Sequence, residues 1–88
     1  MSKLVLQLFI AGRSVRSDAA INNLNGALND LNLKDYDLSV VDVLKDPQLA
    51  EDAFILATPT LIKHSPSPVR RTIGDLSDKT SLLTGLDL

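Results

Sequence analysis

The sequence predicts a single α/β domain over residues 1–88 whose first two strands run parallel. Three observations carry this. The chain opens on an apolar run, Leu4 to Ile10, passes through a stretch whose apolar residues recur every three to four positions, and returns to a Val-rich run, Tyr36 to Leu44. A strand, a helix and a second strand joined by short turns imply a right-handed crossover and parallel pairing. Eighty-eight residues leave room for one core. With Phe9, Tyr36 and Phe54 as the only aromatics, that core is aliphatic.

Leu4 to Ile10 (LVLQLFI) is apolar on both alternating faces except at Gln7, the pattern of a strand covered on both sides. Ala11-Gly12 breaks it, and Ser14 or Ser17 can cap the helix that follows. From Asp18 to Leu31 the residues Ala20, Ile21, Leu24, Ala27, Leu28 and Leu31 form one apolar stripe, with asparagines and aspartate between them. Gly26 in that helix costs roughly 1 kcal/mol relative to Ala. After the second strand, Asp46-Pro47 starts a short helix to about Phe54, with the Asp side chain expected as the cap and Pro in the first turn.

Thr58 to Lys63 reads as a strand with Pro59 near its start, where a missing donor is tolerated. Ser65-Pro66-Ser67-Pro68 is a turn, and Val69 to Ile73 completes a hairpin. Ser77 is the expected cap of a last helix running to about Leu83, with Gly85 as its left-handed terminator. The order is β-α-β-α-β-β-α, that of a thioredoxin-like domain.

The chemistry of that fold's redox enzymes is missing. The loop after the first strand, Ala11 to Ser17, holds no cysteine, nor does the rest of the chain, and thiol–disulfide exchange needs a thiolate. The single histidine, His64, has no nucleophile in its local pattern and reads as a surface or subunit-contact residue. One His and no Cys leave only carboxylates for a metal, and these read as helix-end residues. Gly12 and Gly74 form no phosphate-binding series. No catalytic residue, cofactor or metal is expected. A net charge of −2 gives no reason to expect nucleic acid. The N-terminal apolar run is too short to span a bilayer and has no leader pattern, so no membrane association and a cytoplasmic location are expected.

Two features stand out instead. No acidic residue falls between Asp52 and Asp75, while Lys63, His64, Arg70 and Arg71 do. That makes a local basic surface suited to an acidic protein partner. The second is a set of three prolines, Pro59, Pro66 and Pro68, whose slow isomerisation can separate conformations. The C-terminal segment is also locally ambiguous: Gly85 can end a helix, yet Leu82, Leu83, Leu86 and Leu88 could equally line a strand.

Several blocks resemble the circadian clock KaiB family: Val41 to Glu51 (VDVLKDPQLAE), Ile55 to Leu61 (ILATPTL), Pro68 to Ser77 (PVRRTIGDLS), Leu8 to Gly12 and Gly85 to Leu88. The resemblance covers nearly the whole chain. It implies a non-enzymatic protein that binds the N-terminal ATPase ring of KaiC, sequesters KaiA once bound and competes with a clock-output sensor kinase. It also implies a homo-oligomer, tetramer or dimer, and a fold switch that re-forms the chain from about Asp46 onward into a ground state of order βαββααβ. Lys45, Lys63, Arg70 and Arg71 are the expected protein-binding residues. Pro59, Pro66, Pro68, Gly85 and Asp87 are the expected switch positions, with Gly85→Ala favouring the thioredoxin-like form. The alternative is a paralogue or sensor-kinase-type domain that signals outside a complete oscillator. Two departures stand beside the match: Gly12 to Ser17 reads GRSVRS where clock members carry GNTPNS, and Phe9 replaces a tyrosine.

Overall fold

The computed structural model describes residues 3–33 and 35–87. Its elements are β1 (Leu4–Ile10), α1 (Val15–Asp30), β2 (Tyr36–Asp42), α2 (Pro47–Asp52), β3 (Thr60–Ser65), β4 (Arg70–Ile73) and α3 (Lys79–Gly85). The expected β-α-β-α-β-β-α order is observed. The sheet order is β2-β1-β3-β4. β1 is central: it pairs parallel with β2 and antiparallel with β3, and β4 closes the hairpin on β3.

The pleat sorts the core into two unequal halves. Leu4, Leu6, Leu8 and Ile10 of β1, with Leu61 of β3, face α1 and α3 and bury Leu24, Leu28, Leu82 and Leu86. Among the described residues, the opposite face holds only Phe9, Val41, Ile62 and the polar Thr60 as buried strand residues, with Val43, Ala53 and Ile55 packed over the apolar three. α2 lies on that thinner side and buries none of its own residues. Each apolar residue removed from water contributes on the order of 25 cal/mol per Å², so stabilisation is concentrated on the α1/α3 side.

Local chemistry moves several boundaries. α1 begins at Val15 because Ser14 is its cap, its hydroxyl accepting from the Ser17 amide at 3.1 Å. Ser17, the other candidate, is buried and donates to the Gly12 carbonyl. β2 stops at Asp42, where the chain turns and the Lys45 and Asp46 amides bond the Asp42 carbonyl. Asp46 stands at the cap position of α2 but makes no side-chain cap bond. Asp78, not Ser77, caps α3 by accepting from the Ser81 amide.

Gly85 is not the left-handed terminator: it lies inside α3, and the residue with positive φ is Asp87, at 61°. Asn32 and Phe54 end α1 and α2 in the same left-handed conformation. Leu88 lies outside the described residues. The Thr58–Pro59, Ser65–Pro66 and Ser67–Pro68 bonds are cis.

Candidate protein-docking surface

The thin side of the sheet carries an exposed apolar surface. Leu44 in the turn after β2, Leu49 on α2, and Phe54 and Leu56 on the connector to β3 are exposed, Leu56 almost completely at 95%. Beside them an open cleft of about 210 Å³ is lined by Val43, Ala50, Ile55, Leu56, Ala57 and Thr58. Single exposed apolar residues are ordinary; several grouped around one weakly buried helix mark a contact surface.

Phe54 is the residue the geometry singles out. The Phe54 amide donates to the Glu51 carbonyl and the Ile55 amide to the Ala50 carbonyl, the paired bonds of a helix end that normally uses glycine. Phe54 adopts φ 55° there, a conformation costing a side-chain-bearing residue about 1–2 kcal/mol. The residue is 77% exposed, so burial does not offset that cost. Backbone strain at an exposed aromatic points to function rather than packing.

The basic residues divide. Arg71 reaches across the sheet face to α2, donating to the carbonyls of Ala53 at 2.5 Å and Phe54 at 3.2 Å. It thereby satisfies carbonyls that the helix leaves open and opposes the negative end of its dipole. Arg70 and Lys45 are exposed. Lys63 is buried, at 1% exposure, on the α1/α3 face, where it pairs with Leu6 on one side and Arg70 on the other. It therefore does not belong to the exposed basic surface expected from the sequence. His64 is exposed, with Nε2 2.9 Å from the Gln7 side-chain oxygen.

Asp42 ties the end of β1 to this surface. Its carboxylate accepts from the Gly12 and Leu44 amides, both at 2.9 Å. The Gly12 amide most, then the Leu44 amide, then the Lys45 charge hold its carboxyl below the usual range. Gly12 has φ 69°, and a β-carbon there would stand 3.3 Å from Leu44.

The expected switch positions lie elsewhere. Pro59 is buried at the start of β3, and the Gly74 amide donates to its carbonyl. Pro66 and Pro68 sit in the β3–β4 turn. Gly85 faces Thr72 of β4, and Asp87 follows α3. No three His, Asp or Glu side chains converge as a metal site among the described residues, and no helix there is long and apolar enough to cross a membrane. The sequence reading missed the Phe54 strain and the Arg71 anchor. The first had a signal, an aromatic just beyond a short helix with no glycine to end it.

Comparison with known proteins places these features in a family. The sequence pattern of the KaiB domain matches residues 7–88. Circadian clock oscillator proteins KaiB from a Cyanothece strain and from Thermostichus vulcanus are each 54% identical over 84 residues, 96% of this chain, covering 80% and 78% of those proteins. Among solved structures, the N-terminal domain of Synechococcus elongatus SasA superposes with a TM-score of 0.78 at 29% identity, over 97% of this chain and 84% of that one. Mitochondrial thioredoxin 3 from Saccharomyces cerevisiae superposes with a TM-score of 0.75 at 20% identity, over 98% and 79%. The last likeness shows the fold alone.

Proposed function

The chain belongs to the KaiB family, and from that premise we propose that it is a non-catalytic clock regulator that docks on the ATPase ring of KaiC through the surface around α2. The observation that carries this reading is the exposed, strained Phe54, flanked by Leu49 and Leu56 and anchored by Arg71. Aromatic residues held rigidly at the centre of an apolar patch supply most of the energy of a protein interface. Lys45 at the patch edge contributes orientation and association rate. In the same reading the bound protein sequesters KaiA, and its likeness to the SasA domain supports competition for a shared place on the ring.

The reading extends to a fold switch and to a cytoplasmic homo-oligomer, tetramer or dimer. An α2 that buries none of its residues gives up little apolar burial when the chain rearranges from about Asp46 onward, as two packings separated by a few kcal/mol require. Pro59, Pro66, Pro68, Gly85 and Asp87 remain the proposed switch positions.

Size-exclusion chromatography with a KaiC ring tests the docking. Co-elution of the wild type, and its loss in Phe54→Ser with the circular-dichroism spectrum kept, supports it; no co-elution of the wild type overturns it. A second reading, a sensor-kinase-type signalling domain, is favoured by the SasA superposition. It would show as binding to a kinase core rather than to the ring.

A further inference from the structure

We propose that the outer edge of β4 is a strand-addition site for an acidic, alternately apolar segment of a partner protein. The hydrogen-bond phase of the hairpin gives the first reason. β3 and β4 pair in the register Thr60↔Ile73, Leu61↔Thr72, Ile62↔Arg71, Lys63↔Arg70, and the Gly74 amide donates to the Pro59 carbonyl one step beyond. Residues facing each other across an antiparallel ladder alternate between bonded and non-bonded pairs. Gly74, Thr72 and Arg70 therefore point their amides at β3, whereas Arg71 and Ile73 point theirs outward. β4 is the last strand of the sheet. No backbone or side-chain group among the described residues bonds these two outward amides. Two residues spaced by two, each offering N–H and C=O on one side, are the template an added strand uses.

The side chains define the occupant. On one face of the edge, Ile73 is 65% exposed and lies on the same side of the sheet as Phe54. On the other face Arg70 is exposed with its guanidinium bonded to no described group. An incoming strand meets an apolar neighbour on one face and a cation on the other. The preferred sequence therefore alternates apolar and acidic residues, since opposite charges across a strand pair stabilise and like charges directly opposite destabilise. The two arginines also oppose pairing of this edge with its own copy, the usual role of charges on exposed edges. This site is separate from the α2 surface and does not rest on ring binding.

The test uses the whole protein and two blocked peptides, one alternating Glu and Val, the other Lys and Val. NMR titration with the acidic peptide is expected to slow hydrogen exchange at the Arg71 and Ile73 amides, with little change at β2. The basic peptide is expected to do neither. Ile73→Pro removes one outward amide without removing a ladder bond and abolishes the effect. Arg70→Glu weakens binding about tenfold and reduces its salt dependence, which keeps the test open should the proline variant fail to fold. Protection at β2 instead, or equal binding by Arg70→Glu, overturns the proposal. Concentration-dependent protection of Arg71 and Ile73 without peptide does so too, by making the occupant a second copy. No KaiC enters the experiment, so its outcome is independent of ring docking.

Discussion

The hydroxyl of Thr72 on β4 stands 2.9 Å from the place a β-carbon on Gly85 would occupy. That hydroxyl is buried with no hydrogen-bond partner among the described residues, and α3 and β4 approach this closely because residue 85 has no side chain. Gly85 is needed here for proximity, not for a left-handed backbone.

A double-mutant cycle follows from that contact. In the thioredoxin-like form, Gly85→Ala sets the helix gain of alanine, about 1 kcal/mol, against displacement of Thr72. Removing the hydroxyl with Thr72→Ala should relieve the second effect. Alanine at 85 is then expected to be more favourable by about 1 kcal/mol in the Thr72→Ala background than in the wild type. Gly26 is the control. Nothing lies within 4 Å of its β-carbon position, so Gly26→Ala should stabilise by up to about 1 kcal/mol in either background. Additive urea-denaturation free energies for the 72/85 pair would show that the contact carries no strain.

Phe54 supports a prediction with opposite effects on stability and binding. Glycine occupies φ 55° without the penalty a β-carbon brings. Phe54→Gly is therefore expected to stabilise the thioredoxin-like form by about 1 kcal/mol while weakening ring binding at least tenfold, the loss typical of an anchor residue. A variant that is both less stable and equally well bound would remove Phe54 from the docking surface and assign it a packing role.

The sequence makes much of this architecture legible and hides the rest for identifiable reasons. The doubly apolar β1 reads correctly as a strand covered on both sides, and it lies between a parallel and an antiparallel neighbour. The stripe Ala20, Leu24, Ala27 and Leu28 reads correctly as the buried face of α1. Lys63 misleads because charge outweighs position. It follows Leu61 by two on the same pleat face, and that alternation places it inward. The surface around α2 is hard to read because Leu49, Phe54 and Leu56 look like core residues; only the fold shows that the described residues leave them exposed. Arg71 and Arg70 are indistinguishable in sequence and separate only when one reaches α2.

Asp42 makes stability pH-dependent in a definite direction. Its carboxyl titrates below its unfolded value because the Gly12 and Leu44 amides bond the ionised form. A depressed folded value contributes stability that is fully present above the unfolded value, about 4, and is lost as pH falls through the folded one. Asp75 and Asp78 are shifted in the same sense, mainly by bonds from Ser77 and Ser81. Asp42→Asn isolates one contribution. The wild type is expected to be the more stable at neutral pH, with the gap closing as pH falls below the unfolded value and through the lower folded one. A gap that stays constant over that range would show that the Asp42 charge contributes nothing.

The two arginines of β4 should respond differently to the same substitution. The sequence alone suggests that reversing both charges leaves the fold intact, since exposed substitutions usually change stability by less than about 0.5 kcal/mol. The structure gives no reason to expect otherwise of Arg70, whose side chain bonds no described group. A larger effect is predicted for Arg71, whose guanidinium bonds the Ala53 and Phe54 carbonyls at the C-terminal end of α2. Arg71→Glu replaces two charge-assisted bonds with a carboxylate facing carbonyl oxygens and the negative end of a helix dipole. The bonds are exposed, so the cost is modest, about 1 kcal/mol. Its location is the sharper readout: hydrogen exchange should accelerate in α2 and the connector to β3, and remain unchanged in α1 and β1, because α2 has no buried residue of its own to hold it. Equal exchange rates in α2 for Arg70→Glu and Arg71→Glu would show that the anchor is not what holds this helix to the sheet.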